Sequence, residues 1–256
     1  MPFRRSLVAL IAATLLPACS SGGSNNEQTL TVLGAASVTD AFQAIGTAFE
    51  RAHDGVRVRF SFGPSDGLAR QIQEGARADV FASASPTWMD AVAERPGISG
   101  RSEFARNRLT LVVPASNPAG IGKLDDLTRP GVKLVLAAEG VPAGDYARQI
   151  LENAGIAGRA LANVVSNEID VTGVLAKVAS GDADAGIVYV TDVTAGGDKV
   201  EGVDIPEDQN VTATYPIATV KASKDQAGAQ AFMDLVLSAE GQQVLKEYGF
   251  LPPPTT

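Results

Sequence analysis

Short apolar runs alternate along the chain with segments in which apolar residues recur every three or four positions. The first run covers residues 30–33, and Val38, Phe42, Ile45 and Phe49 follow it at helical spacing. A short apolar run indicates a buried strand, and the three-to-four spacing indicates an amphipathic helix. The pattern therefore predicts a strand that leads directly into a helix.

This alternation of strand and helix continues through most of the sequence. Further pairs of one apolar run and one helical segment follow the first: residues 56–62 with 68–72, 80–84 with 88–92, 133–137 with 146–151, and 187–190 after 171–178. Regular alternation of this kind is typical of an α/β fold with a parallel, doubly wound sheet. We therefore predict the α/β class.

Two other apolar strands have no clear helix of their own. They cover residues 109–113 and 215–220, far apart in the sequence. We interpret them as the two crossings of a hinge between lobes. Lobe 1 is then predicted to comprise residues 29–112 with 216–256, and lobe 2 to comprise residues 113–215.

The first residues have the pattern of an export signal. Arg4 and Arg5 form a charged region, and the apolar stretch that follows, residues 7–16, is too short to span a bilayer as a helix. We therefore expect residues 1–18 to be a signal peptide that directs the protein out of the cytoplasm.

This signal ends in Leu16-Pro17-Ala18-Cys19, which resembles a bacterial lipobox. We predict a lipoprotein that is anchored to a membrane through Cys19 and located in the periplasm or at the cell surface. The polar residues 19–28 are predicted to form a flexible tether. A signal peptide with an incidental cysteine is the alternative.

Composition restricts the chemistry that the protein can perform. The 256 residues carry 21 basic and 29 acidic side chains, a formal net charge of −8, so long-range electrostatics disfavour a nucleic-acid partner. One cysteine and one histidine exclude disulfides, Cys/His zinc sites and most histidine-based acid–base catalysis. Nothing suggests a cofactor, and the single tryptophan, Trp88, is interpreted as a packing residue.

Small polar residues stand at several junctions between a predicted strand and a predicted helix. Four such junctions look alike: residues 34–37, 63–67, 141–144 and 170–173. Open α/β sheets bind ligands at the carboxyl ends of their strands, and a helix N-terminus attracts anions through its unpaired N–H groups and its dipole. Four of these junctions around one cleft would hold a compact oxyanion without lysine or arginine.

A simpler role is open to the polar side chains at these junctions. Ser37 and Ser65 are predicted at N-cap positions, and Asp170 also precedes a helix. Each of the three could cap its helix and contact no ligand.

Seven segments, in order, resemble the periplasmic molybdate-binding components of molybdate ABC transporters. They cover nearly the whole chain behind the signal peptide: residues 35–42 (AASVTDAF), 61–72 (SFGPSDGLARQI), 78–84 (ADVFASA), 88–90 (WMD), 141–147 (VPAGDYA), 186–189 (GIVY) and 248–250 (YGF).

The resemblance implies a type II substrate-binding protein of two lobes that is not an enzyme and needs no cofactor. It implies capture of molybdate, and also of tungstate, by Ser37, Ser65, Ala143, Val171 and Tyr189, with no protein atom bonded to molybdenum itself. It further implies a monomer that delivers the anion to the permease of an ABC importer.

The segment around Ser65 departs from the family pattern. Gly63-Pro64 and Asp66-Gly67 replace a stretch rich in serine and alanine, and an inward-facing acid would repel a dianion. We expect Asp66 to point to solvent or to the helix N-terminus. Sulfate and phosphate are the alternative oxyanions. A hydrogen phosphate would need a carboxylate acceptor, which Asp66 alone is placed to supply.

The same segment is formally a G-x-S-x-G nucleophile elbow, so a serine esterase is the other alternative. That mechanism needs an acid and then a histidine downstream of the serine. The only histidine, His53, lies upstream of Ser65 and is predicted to end the first helix. The triad cannot be assembled in this order, and we do not expect an enzyme.

Overall fold

The computed structural model describes residues 28–254. The predicted signal peptide, the predicted lipid site Cys19 and the tether as far as residue 27 lie outside the described residues. Gln28, which was assigned to the tether, is instead the first residue of a strand.

Nine strands and nine α-helices follow one another within residues 28–254. The strands are β1 Gln28–Ala35, β2 Val56–Gly63, β3 Val80–Ala82, β4 Ile98–Pro114, β5 Leu134–Ala137, β6 Val164–Glu168, β7 Ala185–Tyr189, β8 Val200–Val203 and β9 Thr212–Val220. The helices are α1 Thr39–Ala52, α2 Ser65–Gln73, α3 Pro86–Glu94, α4 Pro142–Asn153, α5 Ala157–Leu161, α6 Val171–Ala179, α7 Val190–Gly196, α8 Gln226–Leu237 and α9 Ala239–Glu247. None of these helices has both the length and the apolar character that a membrane crossing requires.

The strands form a continuous sheet in the order β2-β1-β3-β9-β4-β7-β5-β6, with β8 paired to β4. Strand β1 lies parallel to β2 and β3, and β5 lies parallel to β6 and β7. Between these two parallel groups, β9 and β4 run antiparallel to their neighbours. The predicted α/β architecture of two wound lobes joined by hinge strands is confirmed.

Strand β4 connects the lobes and is much longer than the predicted strand 109–113. Its first part, as far as Arg108, pairs with β9 of lobe 1, and from Leu109 onward it pairs with β7 and then β8 of lobe 2. The strand therefore changes partners at residues 108 and 109, a few residues before the predicted boundary at 112. The exact limits of the lobes stay a prediction.

Aromatic side chains form the centre of the core in lobe 1. Phe42 and Phe49 on α1 are buried, as the helical spacing predicts, and both contact the ring of Phe232 on α8 edge-on, with centroids 6.0 and 5.5 Å apart. Phe104 of β4 lies 5.4 Å from Phe42. Edge-on pairs of this kind stabilise by more than their buried area alone. They hold α1 so that its first residues face lobe 2.

The first turn of α4 packs directly on the end of β5. A Cβ atom at Gly144 would lie 2.5 Å from the carbonyl oxygen of Ala137 and 2.1 Å from that of Ala138, so only glycine fits there. Pro142 occupies the first turn, where its missing N–H costs nothing. This close contact fixes where the N-terminus of α4 points.

We expect Gly144→Ala to lower the free energy of unfolding by about 1 to 3 kcal/mol, because the added methyl overlaps backbone atoms that cannot rotate away. Gly158→Ala in α5 is the matched control. Its Cβ would meet nothing within 4 Å, and alanine favours a helix by up to about 1 kcal/mol over glycine. Urea unfolding of both variants measures the difference. Equal stability of the two would contradict the tight contact at Gly144.

Candidate functional site

A small cavity lies between the lobes, where several strands end and helices begin. Its volume is about 20 Å³, which leaves room for one compact group. Thirteen residues line it: Ala35, Ala36, Ser37, Gly63, Pro64, Ser65, Ala84, Val141, Pro142, Ala143, Asp170, Val171 and Tyr189.

All five residues that the sequence singled out as ligands line this cavity: Ser37, Ser65, Ala143, Val171 and Tyr189. Two come from lobe 1 and three from lobe 2, and each follows a different strand of the sheet or, for Tyr189, ends one. The structure therefore brings together residues that lie up to 152 positions apart in the sequence.

Neither serine caps a helix, contrary to the predicted N-cap positions. Ser37 lies inside a short 3-10 turn, Ala36–Val38, and Val38 is the residue that precedes α1. Ser65 is the first residue of α2, one position beyond the cap. Neither hydroxyl group therefore caps the N-terminus of a helix.

Each serine hydroxyl instead has a partner next to the cavity. Ser65 Oγ accepts a hydrogen bond from the N–H of Ala84 at 3.0 Å, which leaves its own proton to be donated elsewhere. Ser37 Oγ lies 3.0 Å from the hydroxyl of Tyr215, a fully buried side chain on β9. The sequence placed Tyr215 in a hinge strand but gave it no part in the site.

The hydroxyl group of Tyr189 is buried beside that of Tyr215, but it makes no hydrogen bond of good geometry with any described residue. Burial raises the pKa of Tyr189 well above its ordinary value, and the neighbouring Tyr215 raises it further. The phenol therefore keeps its proton at neutral pH. A buried hydroxyl without a partner costs about 1 to 3 kcal/mol, so a ligand that accepts its hydrogen bond would recover this energy.

Two helix N-termini direct backbone N–H groups at the cavity. Ala143 lies in the first turn of α4 and Val171 begins α6, so their N–H groups have no partner within the helix. Asp170 does cap its helix, because its Oδ1 accepts the N–H of Gly173 at 2.9 Å. The capping interpretation is thus correct for Asp170 and wrong for the two serines.

The lining contains no lysine, arginine or histidine, and Asp170 is its one charged side chain. Within residues 28–254, no three acidic, histidine or cysteine side chains gather as a metal site. The cavity therefore offers a ligand neutral hydrogen-bond donors and the positive ends of two helices. That donor set suits a compact anion.

One of the two sequence expectations, that Asp66 points to solvent, is wrong. Asp66 is only 7% exposed and forms an ion pair with Arg70, one helical turn further along α2. It is not part of the cavity lining, and its Oδ1 has no hydrogen-bond partner among the described residues. Repulsion by an inward-facing Asp66 is therefore not an obstacle to anion binding at Ser65.

A second acid, Asp192, lies buried behind the site. Its Oδ2 accepts the backbone N–H of Tyr189 at 2.9 Å, which fixes the end of β7 against α7. Burial raises the pKa of Asp192 from 3.8 to about 7; the bond from Tyr189 lowers it, and the charge of Asp170 raises it. Much of this carboxyl is therefore uncharged at neutral pH.

His53 cannot serve a nucleophile at Ser65. It follows the last residue of α1, where its Nδ1 lies 2.9 Å from the carbonyl oxygen of Phe49. The 14 residues of α1 separate it by about 20 Å from the end of the helix that faces the cavity. This position agrees with the predicted role at the end of the first helix.

A small cavity between two α/β lobes, lined by hydroxyl groups and the starts of helices, is the arrangement expected of a solute-binding protein. The chain belongs to the family described as bacterial extracellular solute-binding protein, which matches residues 30–251. The predictions that it is no enzyme and needs no cofactor are confirmed by this membership, as is a place outside the cytoplasm.

Similar proteins agree with this assignment. The chain is 39% identical to the molybdate-binding protein ModA of Mycobacterium tuberculosis H37Rv, over 96% of this chain and 97% of the relative. It superimposes on the periplasmic molybdate-binding protein of Azotobacter vinelandii with a TM-score of 0.77 at 22% identity, over 88% of this chain and all of the other. The sulfate-binding protein SubI of M. tuberculosis gives 0.78 at 20% identity, over 88% and 87% of the two chains.

We expect the stability of the wild type to fall, relative to Asp192→Asn, as the pH rises from about 4 to about 7. An unfolded chain loses this proton near the ordinary pKa of 3.8, whereas the folded protein keeps it until about 7. The folded state binds more protons in this range, so raising the pH favours unfolding. Urea unfolding at a series of pH values measures the effect.

Asp126→Asn is the control for this experiment. Backbone N–H groups, first that of Gly122, lower the pKa of Asp126, so the carboxyl is already charged in both states above pH ~5. The difference in free energy of unfolding between Asp126→Asn and the wild type should stay constant from pH ~5 to ~7. A constant difference for Asp192→Asn as well would contradict a raised pKa at Asp192.

Proposed function

We propose that the chain is an extracytoplasmic lipoprotein that captures molybdate, and also tungstate, in the cavity between its lobes and delivers it to an ABC importer. The observation that supports this most directly is the buried, partnerless hydroxyl of Tyr189 in a cavity without cationic side chains. A fully deprotonated oxyanion offers only acceptors, and this cavity offers mainly donors.

The proposed ligands divide into hydroxyl and backbone donors. Ser37, Ser65 and Tyr189 donate their hydroxyl protons, and Ala143 and Val171 donate backbone N–H groups from the starts of α4 and α6. Hydrogen bonds to a charged group contribute about 1.5 to 3 kcal/mol each, and a helix N-terminus adds roughly half a positive charge. Together these donors offset the loss of hydration of a buried dianion.

The choice of molybdate rests on the relatives rather than on the fold. The M. tuberculosis relative at 39% identity carries the name molybdate-binding protein, whereas the sulfate-binding structure at 20% identity shares the fold alone. Tungstate has the same charge and shape as molybdate, so a site of neutral donors accepts both. In this proposal the protein acts as a monomer, is anchored through Cys19 and hands the anion to a permease.

Asp170 favours one alternative ligand, a protonated oxyanion such as hydrogen phosphate. It is the carboxylate that lines the cavity, the position that the sequence analysis reserved for Asp66. A carboxylate accepts the proton of hydrogen phosphate but repels molybdate, which has no proton at neutral pH. The two ligands therefore make opposite demands on Asp170.

We expect calorimetric titration of the mature protein to show molybdate and tungstate binding with 1:1 stoichiometry, and much weaker binding of sulfate and phosphate. Because the anion binds only the folded state, molybdate should raise the melting temperature as RT ln(1 + [L]/Kd) requires. Equal shifts with sulfate and molybdate would overturn the choice of molybdate and leave the family unaffected.

Asp170→Asn separates the two ligands in the same titration. Asparagine keeps an oxygen for the cap on Gly173 and removes the charge. Molybdate should bind this variant at least as tightly as it binds the wild type. Two results together would favour the alternative: the wild type binds phosphate more strongly than molybdate, and Asp170→Asn loses this phosphate binding.

We expect Ser37→Ala, Ser65→Ala and Tyr189→Phe each to raise the Kd for molybdate roughly ten- to a hundredfold, because each removes one hydroxyl donor to a buried dianion. Calorimetry gives the Kd, and the melting temperature without ligand shows separately whether the fold is weakened. Tyr189→Phe is the cleanest of the three, since its hydroxyl has no other partner among the described residues.

Val171→Ala and Ala143→Gly are the matched controls. Both residues donate through the backbone, so the donors survive the substitution and the Kd should change little. A Ser37→Ala, Ser65→Ala double variant with the affinity of the wild type would overturn the assignment of the site.

A further inference from the structure

Two side-chain hydrogen bonds join the lobes beside the cavity and use none of the five proposed ligand residues. The indole N–H of Trp88, on α3 of lobe 1, donates to the carbonyl oxygen of Gly140 in lobe 2 at 2.9 Å. The hydroxyl of Tyr146, on α4 of lobe 2, donates to the carbonyl oxygen of Ala84 in lobe 1 at 3.3 Å. We call Trp88 and Tyr146 the interlobe clamp.

The carbonyl groups that accept these bonds belong to segments that form the cavity wall. Ala84 lines the cavity and donates its N–H to Ser65 Oγ. Gly140 precedes the lining residue Val141, and its N–H is held by Asp145 Oδ1 at 2.7 Å, within the first turn of α4. The clamp therefore connects the segment that positions Ser65 with the segment that presents Ala143.

The indole of Trp88 is held in place from its own lobe. The guanidinium of Arg70 lies 5.4 Å from the centre of the indole ring, within cation–π range, and Arg70 is in turn paired with Asp66. Trp88 is thus not only the packing residue that the sequence suggested. The Asp66–Arg70 pair packs against the face of the indole from within lobe 1.

The hydrogen bonds from Trp88 to Gly140 and from Tyr146 to Ala84 can form only while the lobes are together. In an open form the indole N–H, the phenol and both carbonyl oxygens would exchange these bonds for bonds to water. A neutral hydrogen bond that replaces water contributes modestly, enough to change an equilibrium about three- to tenfold. That contribution favours the closed form without any contact to the ligand.

We propose that Trp88 and Tyr146 are positioning residues that hold the two lobes closed over the bound anion and so slow its release. This inference rests on the proposed function. The clamp acts on the opening of the loaded protein, so its removal speeds dissociation and leaves the anion's own donors intact.

Trp88→Phe and Tyr146→Phe test the clamp, since each keeps an aromatic ring and removes one donor. We expect each to raise the Kd for molybdate about three- to tenfold by calorimetry. Trp88 is the only tryptophan, so its fluorescence follows binding in the wild type and in Tyr146→Phe. When the observed binding rate is plotted against molybdate concentration, the intercept gives the dissociation rate and the slope gives the association rate. The intercept should rise in Tyr146→Phe, and the slope should not change.

Tyr248→Phe is the control, because it also removes one tyrosine hydroxyl, from a residue outside the cavity lining and outside the clamp. Its Kd and dissociation rate should equal those of the wild type. Melting without ligand should be alike in all four proteins, since a clamp that acts on the loaded form does not support either lobe by itself.

The outcomes separate the clamp from the proposed function. No molybdate binding by the wild type would overturn the function. Normal wild-type binding with an unchanged Kd in both clamp variants, and an unchanged dissociation rate in Tyr146→Phe, would overturn the clamp alone. A higher Kd accompanied by an equal loss of stability without ligand would also overturn it, because the two residues would then support the fold rather than closure.

Discussion

The proposed site depends on one constraint, which is that a buried anion must be held by neutral donors. A single backbone N–H or hydroxyl cannot replace the hydration of a dianion, so several donors must converge on one small volume. Helix N-termini supply such donors only where the preceding strands end together. The parallel groups around β1 and β5 meet this requirement, because the carboxyl ends of their strands face the same cleft from two lobes.

The division of the proposed donors between the lobes would link binding to closure. Of these five residues, Ser37 and Ser65 belong to lobe 1, and Ala143, Val171 and Tyr189 belong to lobe 2, so neither lobe holds the complete proposed set. An anion that needs both sets binds the closed form more tightly than the open one and shifts the population toward it. Strand β4, shared by both half-sheets, keeps the lobes in register at the cavity.

The sequence predicted the elements and the residues that line the cavity better than it predicted their local geometry. Local pattern alone predicts helix α1 and the residues at the junctions between strands and helices. Both lie where they were expected. The length of β4 was missed because residues 98–103 are mostly polar or exposed, and only pairing with β9 makes them a strand. The serine positions were displaced from the predicted caps by a residue or two, a shift that capping propensities do not resolve.

Contacts between distant segments could not be read from the sequence at all. Nothing local to Tyr215 indicates that its hydroxyl meets Ser37, and nothing local to Trp88 indicates a carbonyl acceptor in the other lobe. The departure from the family pattern at Asp66 raised the question whether this acid would repel an anion. The ion pair with Arg70 answers it, and the sequence does not show that pair. Around the cavity, Asp66 is thus balanced by a cation, Asp170 by the start of α6, and Asp192 by its own proton. Of these three acids only Asp170 lines the cavity, so the selection depends on whether the anion brings a proton for that carboxylate and on how well its oxygens meet the fixed donors.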